Sequence, residues 1–118
     1  MPGRYNFPKR VRLLRSTDFR RVYDQGSRFS CPMFAAFCLR GTAEDGSRIG
    51  FTVPRALGKA VRRNRIKRRM REAVRMRLEG LNPSWSIVIN PRSRSLDAPT
   101  AELEREIARL FQRCNGSS

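Results

Sequence analysis

The chain has 118 residues, of which 26 are lysine or arginine, 10 are acidic and none is histidine, so its formal net charge is +16. A chain of this length forms one ordinary domain, and a hydrophobic content of 39% is enough to fill one core. Without histidine, the sequence excludes a Ser-His-Asp catalytic site and a Cys/His zinc site. We therefore expect a basic, folded domain whose own side chains do little acid-base chemistry.

The cysteines and the lack of long apolar runs indicate the compartment. Cys31, Cys38 and Cys114 form an odd set without a C-x-x-C pair, which argues against both a disulfide framework and a zinc site. No apolar run approaches the ~18 residues that cross a bilayer, and the arginine-rich first residues lack the apolar segment of a secretory signal. We expect a soluble, cytoplasmic protein whose cysteines act as small hydrophobic residues.

The chain is predicted to be a single domain with short irregular ends. Residues 1–9 are predicted to form an N-terminal basic arm, residues 10–114 the folded domain and residues 115–118 a C-terminal tail. The first helix is predicted over residues 16–26, because a capping sequence opens it, a glycine closes it and one face carries Phe19, Val22 and Tyr23.

The other predicted elements follow in the order strand, strand, strand, helix, strand, helix. Strands are predicted over residues 28–40, interrupted at Pro32, and over residues 48–53. From Lys59 a helical period sets in, with an apolar stripe of Ile66, Met70, Ala73, Val74, Leu78 and Leu81. Residues 85–89 are predicted to form a strand, and a predicted helix from Pro99 carries a second stripe of Leu103, Ile107, Leu110, Phe111 and Cys114. The fold class is α+β, with one four-stranded sheet packed against three helices in the order α-β-β-β-α-β-α.

The positive charge is concentrated in one segment. Residues 59–77 contain ten basic side chains and one acidic one, whereas residues 78–118 contain five of each. Such a concentration is typical of a face that binds a polyanion. Of the 26 basic residues 23 are arginine, which favours RNA because guanidinium groups bind phosphate bidentately and stack on exposed bases. A membrane surface is less favoured, since the single tryptophan, Trp85, lies far from the basic segment.

The basic helix has two possible explanations. A charged helix face is ordinarily just solvated, but such a face mixes charges of both signs, because like charges four residues apart repel each other. Here Glu72 is the one acidic residue among ten basic ones. We therefore expect an external partner, such as the phosphates of a nucleic acid, to neutralise the helix.

The basic segment also resembles a known motif. The run from Gly58 to Glu72, GKAVRRNRIKRRMRE, is similar to the R-N-R motif helix of the bacterial ribonuclease P protein subunit. The resemblance covers residues 10–113 and includes Arg12-Leu13, the first helix, the strand over residues 49–53 and the strand over residues 85–91. Pro54 departs from the family pattern, which commonly has a small residue there.

The resemblance implies a small basic cofactor of a ribozyme. In that family the RNA subunit, with bound Mg²⁺, hydrolyses precursor tRNA to give the mature 5′ end, and the protein binds both that catalytic RNA and the 5′ leader. No membrane and no further protein partner is implied. It also implies a left-handed βαβ crossover, against the usual right-handed preference. On this interpretation the chain carries no catalytic residue and no metal ligand of its own.

The resemblance assigns two sets of binding residues. The set that would contact the RNA subunit is Lys59, Arg62, Arg63, Asn64, Arg65, Lys67, Arg68 and Arg71. The set that would line the leader-binding cleft is Phe19, Tyr23 and Phe37, because aromatic rings hold unpaired bases by stacking without requiring one sequence. Phe19 and Tyr23 are also what any core-facing helix would show, so a purely structural role stays open for them.

Two other functions would fit the composition. A ribosomal protein or an RNA chaperone that binds structured RNA without any cleavage reaction would have the same size and charge, and the motif is what distinguishes the ribonuclease P subunit from it. A protein nuclease that works without RNA is disfavoured, since the sequence offers no convincing set of acid-base residues.

Overall fold

The computed structural model describes residues 16–41, 47–78, 81 and 85–116. Its helices and strands, in chain order, are α1 (Ser16–Gln25), β1 (Ser27–Ser30), β2 (Phe34–Arg40), β3 (Arg48–Phe51), α2 (Ala60–Arg77), β4 (Trp85–Pro91), α3 (Arg94–Asp97) and α4 (Thr100–Gly116). The predicted arm, the Arg12-Leu13 pair and the last two residues of the predicted tail lie outside the described residues. The predicted α+β class and element order are confirmed, with one short helix added.

The four strands form one mixed sheet in the order β1-β2-β4-β3. β2 pairs antiparallel with both β1 and β4, whereas β3 pairs parallel with β4. Parallel neighbours need a crossover connection, and here α2 lies in the chain between β3 and β4. The handedness of this βαβ unit stays a prediction.

The main core lies on the face of the sheet that α2 and α4 cover. Alternate residues of β2 and β4, such as Phe34, Ile87 and Ile89, are fully buried there, as the two-residue period of a strand requires. The predicted stripes of α2 and α4 meet these strands: every member is buried except Leu78, which is partly buried against the same core. The α4 stripe is confirmed, and so is the α2 stripe from Ile66 to Val74. The predicted helix extends too far, because α2 ends at Arg77 and Leu78 and Leu81 reach the core from beyond its end.

Helix α1 packs on the opposite face of the sheet. Its Val22 is buried against Val88 of β4, and α1 ends where the chain turns sharply at Gly26. A Cβ atom at Gly26 would lie 2.5 Å from the carbonyl oxygen of Val22 and 2.8 Å from that of Cys38. Because both obstacles are backbone atoms, only glycine allows the helix end to approach β2 this closely.

The short helix α3 is the element that the sequence did not predict. The predicted count was three helices, whereas the described residues form four α-helices. Four residues are too few to show a helical period, and α3 depends instead on a side chain from another helix. Arg69 of α2 donates from Nη1 to the carbonyl oxygen of Ser95 at 3.1 Å and from Nη2 to that of Ala98 at 2.6 Å.

Candidate nucleic-acid interface

The start of α2 is fixed by a tight turn and by two of its own arginines. A 3₁₀ turn over Arg55–Leu57 follows Pro54, and Gly58 has a φ of 127°, a conformation that favours glycine. Arg62 then donates from Nε to the carbonyl oxygen of Leu57 at 2.8 Å, and Arg63 donates from Nε to that of Gly58 at 3.1 Å. Both hydrogen bonds use Nε, so they fix the aliphatic parts of the two arginine side chains without using the outer Nη atoms.

The predicted RNA-contacting residues lie together along the outward side of α2 and at its start. We call this set the cationic ridge: Lys59, Arg62, Arg63, Asn64, Arg65, Lys67, Arg68 and Arg71. Asn64, Arg65 and Arg68 are exposed, whereas Lys67 and Arg71 are partly buried at the margins. The opposite side of the helix is the buried stripe, so one helix supplies both core and charge.

Among the described residues, the acidic side chains do not neutralise the centre of the cationic ridge. Glu72 bonds to Arg75 at 2.6 Å, one turn further along the helix, and Glu104 of α4 lies 3.5 Å from Arg77. Within the described part of the chain, neither Arg65 nor Arg68 contacts a carboxylate. Five positive charges therefore lie within Arg62–Arg68, over less than two helical turns, and Arg62, Arg65 and Arg68 among them are exposed.

Arg69 differs from its neighbours in direction and partners. Besides its bonds to Ser95 and Ala98, its guanidinium donates to the carbonyl oxygen of Leu96 and, at 3.3 Å, to Oγ1 of Thr100. These acceptors belong to α3 and the start of α4, so Arg69 joins three helices. The structure therefore separates one arginine of the basic segment from the cationic ridge and gives it a structural role.

The predicted cleft residues form a second site, on the α1 face of the sheet. Phe19, Tyr23 and Phe37 are all partly buried around Val22 and Val88, and we call this group the aromatic cleft. The rings of Tyr23 and Phe37 meet edge to face, with centroids 4.9 Å apart. The structure brings the three predicted residues together but leaves each ring partly accessible.

Three polar or charged side chains adjoin the aromatic cleft, and the sequence did not single them out. The guanidinium carbon of Arg28 lies 5.9 Å from the centroid of Phe37, which is within cation-π range. Oη of Tyr23 lies 2.7 Å from Oδ1 of Asn90 and 3.3 Å from Oγ1 of Thr52. The period of β4 was the available signal, because it places Asn90 on the same sheet face as Val88.

The three cysteines are free and buried in the core, as the sequence predicts. Burial raises the pKa of the Cys31 thiol above its ordinary value. A hydrogen bond to Cys114, together with burial, raises the pKa of Cys38. Thiols with a raised pKa are poor nucleophiles, so Cys31 and Cys38 fit a packing role in the core.

Metal-binding clusters and membrane-spanning helices are both absent from the described residues. No group of three or more His, Cys, Asp or Glu side chains in this part of the chain is placed to hold a metal ion. Among the helices described, none is both long enough and apolar enough to span a bilayer.

Comparison with known proteins gives a consistent match. The profile of the family described as ribonuclease P matches residues 7–115. A ribonuclease P protein component from Mycolicibacterium vanbaalenii is 40% identical over 108 residues, which are 90% of this chain and 91% of the relative. One from Symbiobacterium thermophilum is 39% identical over 105 residues, covering 89% of this chain and 91% of the relative.

Solved structures agree with the sequence relatives. The ribonuclease P protein of Thermotoga maritima superposes with a TM-score of 0.75 at 26% identity, covering 86% of this chain and 96% of that one. A mutant ribonuclease P protein from Staphylococcus aureus gives a TM-score of 0.76 at 26% identity, covering 91% of this chain and 90% of the other.

Proposed function

This chain belongs to the ribonuclease P protein family, and on that premise we propose that it is the protein subunit of a bacterial ribonuclease P. It binds the catalytic RNA subunit and the 5′ leader of precursor tRNA, and so supports the endonucleolytic removal of that leader. The observation that carries the proposal is that two surfaces suited to RNA, the cationic ridge and the aromatic cleft, belong to helices on opposite faces of one sheet.

The cationic ridge contacts the RNA subunit. Its arginines point outward from a helix that is anchored on its other side, so they are positioned before binding. Guanidinium groups donate two parallel hydrogen bonds to a phosphate, and each neutralised phosphate releases counterions. A folded RNA brings many phosphates close together, and this matches the density of charge along Arg62–Arg68.

The aromatic cleft holds the leader of the precursor. Partly buried rings present faces and edges on which unpaired bases stack, and this stacking is worth about 1–3 kcal/mol per base. Arg28 beside Phe37 adds a cation next to that stacking surface. Mature tRNA has no leader, so the aromatic cleft contributes to precursor binding alone.

The division of labour in this proposal is between RNA chemistry and protein binding. The RNA subunit with its Mg²⁺ supplies hydrolysis of the phosphodiester bond, and this chain orients the two RNAs relative to one another. No further protein partner is needed, and the assembly works in the cytoplasm.

Reconstitution tests the proposal. The purified chain alone should not cleave precursor tRNA, but it should restore cleavage at low Mg²⁺ concentration when mixed with a cognate ribonuclease P RNA. Binding of that RNA without restored cleavage would indicate instead a ribosomal or RNA-chaperone protein. Cleavage by the chain without any RNA subunit would overturn the proposed division of labour.

A further inference from the structure

Three side chains from three separate elements meet at the edge of the aromatic cleft. Tyr23 belongs to α1 and Asn90 to β4, and Thr52 directly follows β3. Oη of Tyr23 lies 2.7 Å from Oδ1 of Asn90 and 3.3 Å from Oγ1 of Thr52. Tyr23 and Asn90 are partly buried and Thr52 is exposed, so this polar triad lies where the sheet face meets solvent.

The chemistry of the three groups fixes the direction of each hydrogen bond. A phenol has one proton, and the oxygen of an amide can only accept. At 2.7 Å the Tyr23 hydroxyl therefore donates to Oδ1 of Asn90. Because its one proton is then used, the weaker contact at 3.3 Å is completed by the Thr52 hydroxyl, which donates to Oη of Tyr23.

This arrangement sets the orientation of the Asn90 amide. With Oδ1 held by Tyr23, the two N–H groups of Nδ2 point away from the phenol. Among the described residues none accepts a hydrogen bond from Nδ2 of Asn90. A partly buried amide therefore presents its donors beside rings suited to stacking a base, while its oxygen is turned toward the phenol.

We propose that Asn90 is a specificity-determining residue of the aromatic cleft and that Tyr23 is the positioning residue that orients its amide. This inference rests on the proposed function, since it takes the bound strand to be a single-stranded leader. A base that stacks in the aromatic cleft turns an edge toward Nδ2, and amide side chains discriminate bases by such edge contacts. The O4 atom of uracil or the O6 atom of guanine accepts from Nδ2, whereas the N4 amino group of cytosine or the N6 amino group of adenine at the same ring position meets it donor to donor.

The test is a binding assay with the reconstituted holoenzyme and precursors that differ by one leader nucleotide. At one leader position the wild type should bind uridine more tightly than cytidine and guanosine more tightly than adenosine, by about threefold to tenfold, the range expected for one hydrogen bond. Tyr23→Phe keeps the ring but releases the amide, so it should reduce this preference to less than about twofold while precursor is still preferred over mature tRNA.

A second variant tests the sign of the preference. Asn90→Asp still accepts the Tyr23 proton but has no N–H group, so it should reverse the order and favour cytidine and adenosine. Ser86→Ala is the matched control, because it removes a hydroxyl from the same face of β4, outside the polar triad, and should keep the wild-type order. If Asn90 had a purely structural role, Asn90→Asp would lower the affinity for all four leaders equally.

The outcomes separate this inference from the proposed function. Equal binding of precursor and mature tRNA by the wild type would overturn both the proposed leader cleft and this inference. Precursor preference without any base preference, or a wild-type order retained in both Tyr23→Phe and Asn90→Asp, would overturn the role of Asn90 alone.

Discussion

The two faces of the sheet are built from similar residues but packed to different extents. Beneath α2 and α4, side chains such as Phe34 and Ile89 have no accessible surface. On the α1 face, the fully covered side chains of the cluster are Val22 and Val88, and the aromatic rings around them remain partly exposed. The difference indicates that the first face supplies most of the stability, whereas the second leaves apolar surface accessible, as the proposed leader cleft requires.

The largest effect on stability is expected in the covered face. Phe111→Ala should lower the free energy of unfolding by about 3–5 kcal/mol, because it leaves a cavity among fully buried neighbours. Phe37→Leu, on the α1 face, should lower it by less than about 1.5 kcal/mol. Urea denaturation of both variants measures the contrast, and equal losses would mean that the two faces share the core.

The next largest effect on stability should distinguish two neighbouring arginines of α2. Arg69→Ala removes the donors that serve three carbonyl groups around α3, and leaving such groups unpaired costs on the order of 1–3 kcal/mol. Arg68→Ala, the adjacent exposed arginine, should change the free energy of unfolding by less than about 0.5 kcal/mol. Thermal or urea unfolding distinguishes them, and a larger loss for Arg68→Ala would contradict the assignment of Arg69.

Substitutions in the cationic ridge should weaken RNA binding without lowering the free energy of unfolding. Arg65→Ala combined with Arg68→Ala should weaken binding to the RNA subunit and flatten the log-log salt slope by about 0.7–0.9 for each phosphate that the variant no longer neutralises. Arg105→Ala combined with Arg109→Ala removes the same charge from exposed positions of α4 and is the matched control. An identical slope change in both double variants would indicate an unspecific effect of net charge.

The smallest expected effect concerns the aromatic cleft. Phe19→Leu and Phe37→Leu keep apolar bulk but remove the stacking surface, so each should cost about 1 kcal/mol of affinity for precursor tRNA. Affinity for mature tRNA should hardly change. If filter binding shows that these variants lose equal affinity for precursor and mature tRNA, the rings are core residues and the α1 face is not a binding site.

Local patterns predicted the elements and the charge, because each of those signals lies within one segment. The buried stripe from Leu103 to Cys114 follows from helical period, and the outward charge of Arg65 and Arg68 follows from the opposite side of the same geometry. Helix α3 was missed since it has no period of its own and depends on Arg69. The partners of Arg69 are 26 to 31 residues away in the chain.

The composition of the cleft edge could not be predicted for a related reason. Tyr23 and Asn90 are 67 residues apart, and their contact depends on strand order and register. A strand pattern shows that Asn90 alternates with buried neighbours, but it does not show that β4 lies in the interior of the sheet. Resemblance to a family supplied the three aromatic residues, whereas Thr52, Arg28 and the contact between Asn90 and Tyr23 required coordinates.

Site-specific photocrosslinking in the assembled holoenzyme tests most directly whether this one domain contacts two RNAs with two separate surfaces. A benzophenone amino acid at Val61, which is exposed on α2, should crosslink to the RNA subunit. The same group at Arg28, beside Phe37, should crosslink to the 5′ leader of precursor tRNA. Crosslinks from both positions to one and the same RNA, or the reverse assignment, would contradict the account.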